Sequence, residues 1–195
     1  MKSFGLLVCF LVLANPSLFA QTTTQDFGFP ELHIIKTVTL SPPYSCRSPE
    51  QFQKGYETTA LFLSRYSKQL NVPDLVFHGA CKSGNYFQAG AGWFSLIADL
   101  GPGVTLEEVS ASAAVNLRRI HASNEYSKFV AAVKVEPNHT YAVLLNERDI
   151  SGLFIFKVDE YMPDEKVVLR YAVKSYQITN GSVRAQGFDW EKRSK

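Results

Sequence analysis

The strongest constraint on the fold is a succession of three strand-like segments near the end of the chain. Residues 140–146, 153–158 and 166–178 are rich in β-branched, aromatic and leucine side chains. In the first and third segments, apolar residues alternate with others, so each has one side suited to a core. The inward residues are Tyr141, Val143 and Leu145, then Val167, Leu169, Tyr171 and Val173, while Lys166, Arg170 and Lys174 face solvent. The short intervening turns predict an antiparallel C-terminal meander.

Two upstream segments have the three- and four-residue apolar spacing of helices. Residues 48–70 begin at a Ser48 N-cap, and residues 105–121 begin with a capping box formed by Thr105 and Glu108. Residues 32–40, 75–77 and 94–100 fit strands instead. Residues 124–134 fit either a third helix or a strand that starts at Phe129.

Together these elements predict an α+β fold. We expect an antiparallel sheet with the two main helices, 48–70 and 105–121, packed on one face, because a helix-covered sheet explains the one-sided apolar patterns. The globular domain is predicted to span 31–178. A polar leader at 21–30 precedes it, and a polar, mobile tail at 179–195 follows it.

Residues 1–20 have the layout of a secretory signal peptide. Lys2 gives a basic start, residues 4–14 form an apolar run, and Ala20 is a small residue suited to cleavage. A buried first helix or an uncleaved anchor is the alternative. No apolar run reaches the roughly 18 residues of a membrane-spanning helix. We therefore expect a secreted, extracellular protein, periplasmic in a bacterium, without stable membrane insertion.

Removal of the signal peptide, residues 1–20, leaves two of the three cysteines, Cys46 and Cys81. In an oxidising compartment such a pair is typical of a disulfide bond. The bond would close a loop of about 35 residues and contribute roughly 3.8 kcal/mol by chain entropy. A reactive thiol is the alternative, since His78 lies three residues before Cys81, but that spacing alone shows neither contact nor a lowered thiol pKa.

Two sequons follow the leader, at Asn138 and Asn180. Each is a candidate glycosylation site on an exposed turn if the protein passes through a eukaryotic secretory pathway, and a chance match in a bacterium. Both are also strong turn-forming sequences.

Charge and motifs exclude several classes of function. The net charge is only +2, which does not suggest a nucleic-acid-binding protein. The glycines between Gly79 and Gly92 satisfy neither the P-loop pattern nor the dinucleotide fingerprint, and no serine-hydrolase elbow occurs. The histidines show no metal-ligand spacing, so we predict no metal site and no cofactor.

Residues 82–93 are the one segment that suggests a site. Asn85, Tyr86, Phe87 and Trp93 are amide and aromatic side chains on a glycine-rich backbone, a combination that suits sugars and peptides. The alternative is that the aromatic rings fill the core and the glycines make bulges.

The sequence therefore favours a secreted, non-enzymatic binding domain whose loop 82–93 meets an unidentified extracellular glycan or protein. A secreted hydrolase or transferase, whose catalytic residues meet only in the folded chain, is the alternative.

Overall fold

A computed structural model describes residues 27–42, 56–79, 84–90, 94–109, 129–147, 149–180 and 183–184. These residues form ten strands and two short helices. The strands are β1 (Ile35–Leu40), β2 (Ala60–Leu61), β3 (Leu75–His78), β4 (Tyr86–Ala89), β5 (Leu96–Pro102), β6 (Ala132–Lys134), β7 (His139–Glu147), β8 (Ile150–Met162), β9 (Lys166–Asn180) and β10 (Val183–Arg184). The helices are α1 (Tyr56–Thr59) and α2 (Arg65–Gln69).

The strands are arranged in two antiparallel sheets. The larger has the order β1-β9-β8-β7-β5, with β10 paired to β9, and the smaller has the order β2-β3-β4-β6. The predicted meander is confirmed, because β7, β8 and β9 are consecutive antiparallel neighbours. The first strand joins the last long one, with Ile35 opposite Ala172.

The main core lies between the two sheets. Phe77 and Phe87 of the small sheet meet Tyr141 and Phe156 of the large sheet, and all four side chains are fully buried. The Phe87 ring packs edge-on against Phe156, with centroids 4.9 Å apart, and against Tyr141 at 5.5 Å. Edge-to-face geometry is the favoured arrangement of aromatic rings, so these contacts hold the sheets in one relative position.

The opposite face of the large sheet is also covered. Leu106 and Val109 pack on Ala142, Leu153 and Ile155 in a second apolar cluster. Both faces of the central strands are therefore buried, which explains why residues 153–156 form a continuous apolar run.

The predicted α+β fold with two main helices is wrong. The described residues are mostly antiparallel sheet, and none of their helices reaches seven residues. Within the segment 48–70, β2 and an irregular turn separate α1 from α2. Ser64 starts α2 with a capping box of its own, so Tyr56, Ala60 and Tyr66, which were predicted to share one helical face, belong to three different short elements.

The start of the segment 105–121 is a turn over residues 106–108, and the rest of that segment lies outside the described residues. The ambiguous segment 124–134 contains strand β6, so the strand interpretation holds over its described part. Loop 82–93 contains strand β4, which the sequence analysis missed.

Lys174 departs from the predicted exposed pattern. Its side chain is only 8% exposed. The pairing of β8 with β9 shifts register between Leu153 and Phe154, and Ser175 and Val173 are the partners on either side, so Lys174 is the extra residue of a bulge. Burial lowers the pKa of Lys174, and the nearby charge of Glu107 opposes that shift.

Several predicted features lie outside the described residues. They are the leader 1–20, Cys46, Cys81, Trp93 and most of the tail. Asn138 is described and sits on an exposed turn with φ of 63°, and its glycosylation stays a prediction. Only the backbone of Asn180 is described, at the end of β9.

Gly152 provides a test of the packing between β8 and β9. A Cβ at this position would lie 2.5 Å from the backbone oxygen of Ser175 and 3.1 Å from the Cα of Tyr176. We expect Gly152→Ala to lower the free energy of unfolding by about 1–3 kcal/mol, because backbone atoms must shift to make room. Urea denaturation measures the loss, and Ser151→Ala on the adjacent position is the control. Equal stability of the two variants would contradict the close approach.

Candidate functional site

The small sheet presents two faces of different chemistry. Across β3, β4 and β6, one row of paired residues is Phe77, Phe87 and Val133, and it faces the core. The next row, His78, Tyr86 and Lys134, lies on the opposite face because side chains alternate along a strand. We call His78, Tyr86, Gln88 and Lys134 the outer face of the small sheet.

Asn85 lies inside the protein. It is 2% exposed, and its side-chain amide is hydrogen-bonded on both sides. Oδ1 accepts from the Tyr161 hydroxyl at 2.8 Å and from the Asp164 amide at 2.9 Å. Nδ2 donates to the Asp164 carboxylate at 3.0 Å and to the carbonyl of His78 at 3.4 Å. Asn85 therefore ties the β3–β4 connection to the β8–β9 turn.

The four predicted ligand-binding residues consequently have different environments. Phe87 is in the core, Asn85 is engaged in internal hydrogen bonds, and Tyr86 is half-buried on the outer face. Trp93 lies outside the described residues. Loop 82–93 thus contributes Tyr86 and Gln88 to the outer face, and neither Asn85 nor Phe87 is presented to solvent.

The centre of the outer face is a stacked pair of rings. His78 and Tyr86 lie with ring centroids 4.7 Å apart and planes at 13°. The Gln88 side chain is hydrogen-bonded to His78. Burial lowers the pKa of His78, and the Gln88 bond opposes that shift. Burial is the larger effect, so the imidazole is mainly neutral at pH 7.

One nitrogen of this ring is unusual. Nε2 of His78 is buried and has no hydrogen-bond partner in the described part of the chain. The neutral ring carries its proton on one of its two nitrogens, so Nε2 is a donor in one tautomer and an acceptor in the other. Buried polar atoms are usually satisfied, so this nitrogen is an exception beneath the outer face.

A second polar pair lies away from this face, on β5 and β7. Nδ1 of His139 is 2.9 Å and 3.0 Å from the two carboxylate oxygens of Asp99. Asp99 also accepts a hydrogen bond from the Gly101 amide at 2.8 Å, at the β5 bulge. The carboxylate therefore fixes both the bulge and the orientation of the imidazole ring.

The sequence pattern placed Gln88 in the loop 82–93 without assigning it to a face, and His78 was considered only as a partner for Cys81. The residue types at 85–89 do not alternate between polar and apolar, so the strand becomes visible only in the structure. Residues 85–89 alternate in burial as the inner side chains Asn85, Phe87 and Ala89 and the outer pair Tyr86 and Gln88, which is the period of a strand and not of an irregular loop.

The described ranges contain no group of three His, Cys, Asp or Glu side chains placed to hold a metal ion. Nor does any helix within them have the length and apolar character needed to cross a membrane. No family model, curated protein or solved structure matches this chain. The function must therefore be argued from the outer face and its chemistry.

Proposed function

We propose that the protein is a secreted, non-enzymatic binding domain that recognises a glycan through the outer face of the small sheet. The observation that carries the proposal is the stacked His78–Tyr86 pair, which Gln88 and Lys134 flank on the same face. Export is inferred from the leader at 1–20, which the sequence alone supports.

The chemistry of this face suits a sugar. An aromatic ring offers a flat apolar platform for the C–H face of a pyranose, and Tyr86 supplies one at a half-buried position. Sugar hydroxyls both donate and accept hydrogen bonds, so they suit amide and ammonium groups beside an aromatic ring. Gln88 and Lys134 flank the pair on the same face and supply further polar groups.

Replacement of Tyr86 tests this proposal. We expect Tyr86→Ala to weaken glycan binding at least about tenfold, which corresponds to a loss of about 1.4 kcal/mol. The measurement is a glycan-array screen of the secreted chain, followed by calorimetric titration of the best glycan. Phe29→Ala is the matched control, because Phe29 is an aromatic side chain that is 45% exposed elsewhere on the protein.

Two results would reject the proposal. One is unchanged binding by Tyr86→Ala, and the other is the absence of any glycan bound by the wild-type chain. A parallel peptide array distinguishes these outcomes from recognition of a protein partner, since a peptide ligand would be captured there and not on the glycan array.

A hydrolase or transferase is the second candidate, and the His139–Asp99 pair favours it. A carboxylate bonded to Nδ1 orients an imidazole so that its other nitrogen can act as a general base. If this pair is catalytic, His139→Ala abolishes turnover in a screen of ester and glycoside substrates, and Tyr86→Ala does not. Under the binding proposal, no turnover is found in either variant or in the wild type.

A further inference from the structure

The junction between the two sheets contains a buried carboxylic acid, Asp74. Its side chain is 2% exposed and immediately precedes β3. Oδ2 accepts a hydrogen bond from the backbone amide of Leu63 at 2.7 Å, and Oδ1 accepts one from the Tyr176 hydroxyl at 3.3 Å. Tyr176 belongs to β9 of the large sheet, whereas Asp74 precedes β3 of the small sheet, so this hydrogen bond links the two sheets.

Two serines extend the same network into helix α2. The Ser64 Oγ is 2.9 Å from the Tyr176 hydroxyl and 3.2 Å from the Ser67 Oγ. Ser67 is also hydrogen-bonded to Asp74. Ser64 is the N-cap of α2. Asp74, Ser64, Ser67 and Tyr176 therefore connect the start of α2, the start of β3 and the middle of β9, and we call these four residues the junction network.

The backbone of Asp74 is held as firmly as its side chain. Its amide donates to the carbonyl of Leu61 at 2.9 Å, and its carbonyl accepts from Gly90 at 3.1 Å. A Cβ on Gly90 would collide with the carboxylate of Glu147 and with Ser95. The carboxyl group of Asp74 therefore has little freedom to move toward water when its charge changes.

The elements packed against Asp74 place acidic and tyrosine side chains near it. β7 contributes Glu147, whose negative charge acts on Asp74. β9 contributes Tyr176 and also Tyr171; burial raises the pKa of both, and the charge of Asp74 adds to the increase. On α2, Tyr66 donates its hydroxyl proton to Asp149 at 3.0 Å, while the cations Arg65 and Lys68 have exposed side chains.

We infer that the junction network is a pH-sensitive latch between the two sheets, which is closed while the Asp74 carboxyl group carries its proton and loosens when that proton is lost. The bonds donated by Leu63 and Tyr176 favour the ionised carboxyl group, but its loss of hydration in a buried site beside Glu147 outweighs them, so the neutral form is buried at the lower cost. The inference concerns the fold and does not depend on glycan recognition.

The direction of the pH dependence follows from the environment of Asp74. Burial raises its pKa from 3.8 to about 7, with a further increase from Glu147, against the hydrogen bonds from Leu63, Ser67 and Tyr176. The folded chain therefore binds this proton more tightly than the unfolded chain does. The stabilising contribution is complete below about pH 4 and is lost as the pH rises through about 7.

Asp74→Asn is the direct test, since the amide keeps the shape and cannot ionise. We expect the folding equilibrium constant of the wild type to fall about a hundredfold more than that of Asp74→Asn between about pH 5 and pH 8. Urea denaturation of the full chain across this range measures the difference. Asp159→Asn is the matched control, because Asp159 is an exposed carboxylate paired with Arg170, and its pH profile is expected to follow the wild type.

A second measurement keeps the inference falsifiable if Asp74→Asn does not fold. We expect the Asp74 carboxyl carbon, followed by NMR in the wild-type protein, to titrate near neutral pH. At higher pH the Leu63 amide, which donates to Asp74, is expected to exchange faster. Titration of that carbon below about pH 5 would overturn the latch, as would identical pH profiles for the wild type and Asp74→Asn.

Discussion

Phe87→Ala is expected to lower the free energy of unfolding by about 3–5 kcal/mol. Phe87 is fully buried, and its ring contacts Phe77, Tyr141 and Phe156 from the centre of the inter-sheet core. Removal of the ring leaves a cavity between two sheets whose strands cannot move closer without losing their pairing, so little of the cost is recovered.

The neighbouring residue provides the control for this prediction. Tyr86 is of similar size but lies half-buried on the other side of the same strand. Chemical denaturation of Tyr86→Ala is expected to show a loss of about 1 kcal/mol or less. If the two alanine variants are equally destabilised, the assignment of inner and outer faces to β4 is wrong. The stability of Tyr86→Ala also shows whether a loss of glycan binding in that variant comes from unfolding.

Asn85→Ala is expected to cost about 3 kcal/mol of stability. The substitution leaves the Tyr161 hydroxyl, the Asp164 amide and one Asp164 carboxylate oxygen without their partner. A buried group that loses its hydrogen bond costs about 1–3 kcal/mol, and the half-buried positions of Tyr161 and Asp164 let water recover part of the total.

Asn146→Ala is the matched control for the Asn85 prediction. Asn146 is on an exposed position of β7, and its alanine variant is expected to remain within about 0.5 kcal/mol of the wild type. Thermal and urea unfolding of both variants gives the comparison. A change of less than about 1 kcal/mol in Asn85→Ala would show that its hydrogen bonds do not hold the β3–β4 connection to the β8–β9 turn.

The large sheet could be predicted from the sequence because its signal is local. In residues 140–178 the alternation of apolar residues specifies both the strands and their buried side, and short turns specify antiparallel pairing. The burial of Lys174 was not predicted because a single bulged residue reverses the alternation of inward and outward side chains, and nothing in the neighbouring residues marks the bulge.

The helices failed for a different reason. Apolar residues with helical spacing occur at Phe52, Tyr56, Ala60, Leu63 and Tyr66. In the structure, however, Ala60 and Leu61 form a strand that pairs with β3. Such a pairing partner lies outside any local window, and tertiary contacts override propensity over segments this short. The apolar residues therefore have the spacing of a helix, but the long helix that this spacing predicted does not form.

The candidate site was half predictable. Aromatic and amide residues drew attention to residues 85–87, but only pairing with β3 and β6 shows which of them face outward. The junction network could not be found at all, because Asp74 meets Leu63 and Tyr176 across 11 and 102 positions of the chain. Networks formed by such distant partners leave no mark on local sequence patterns.

The pairing of β1 with β9 has a consequence for biogenesis. Since β1 lies beside β9, a ribosome must deliver the chain through the Lys166–Asn180 strand before the larger sheet can close. Contacts this distant along the chain slow folding, and until then Ile35–Leu40 presents an unsatisfied edge. Nascent chains shortened before Lys166 would therefore leave that edge available to chaperones or to one another.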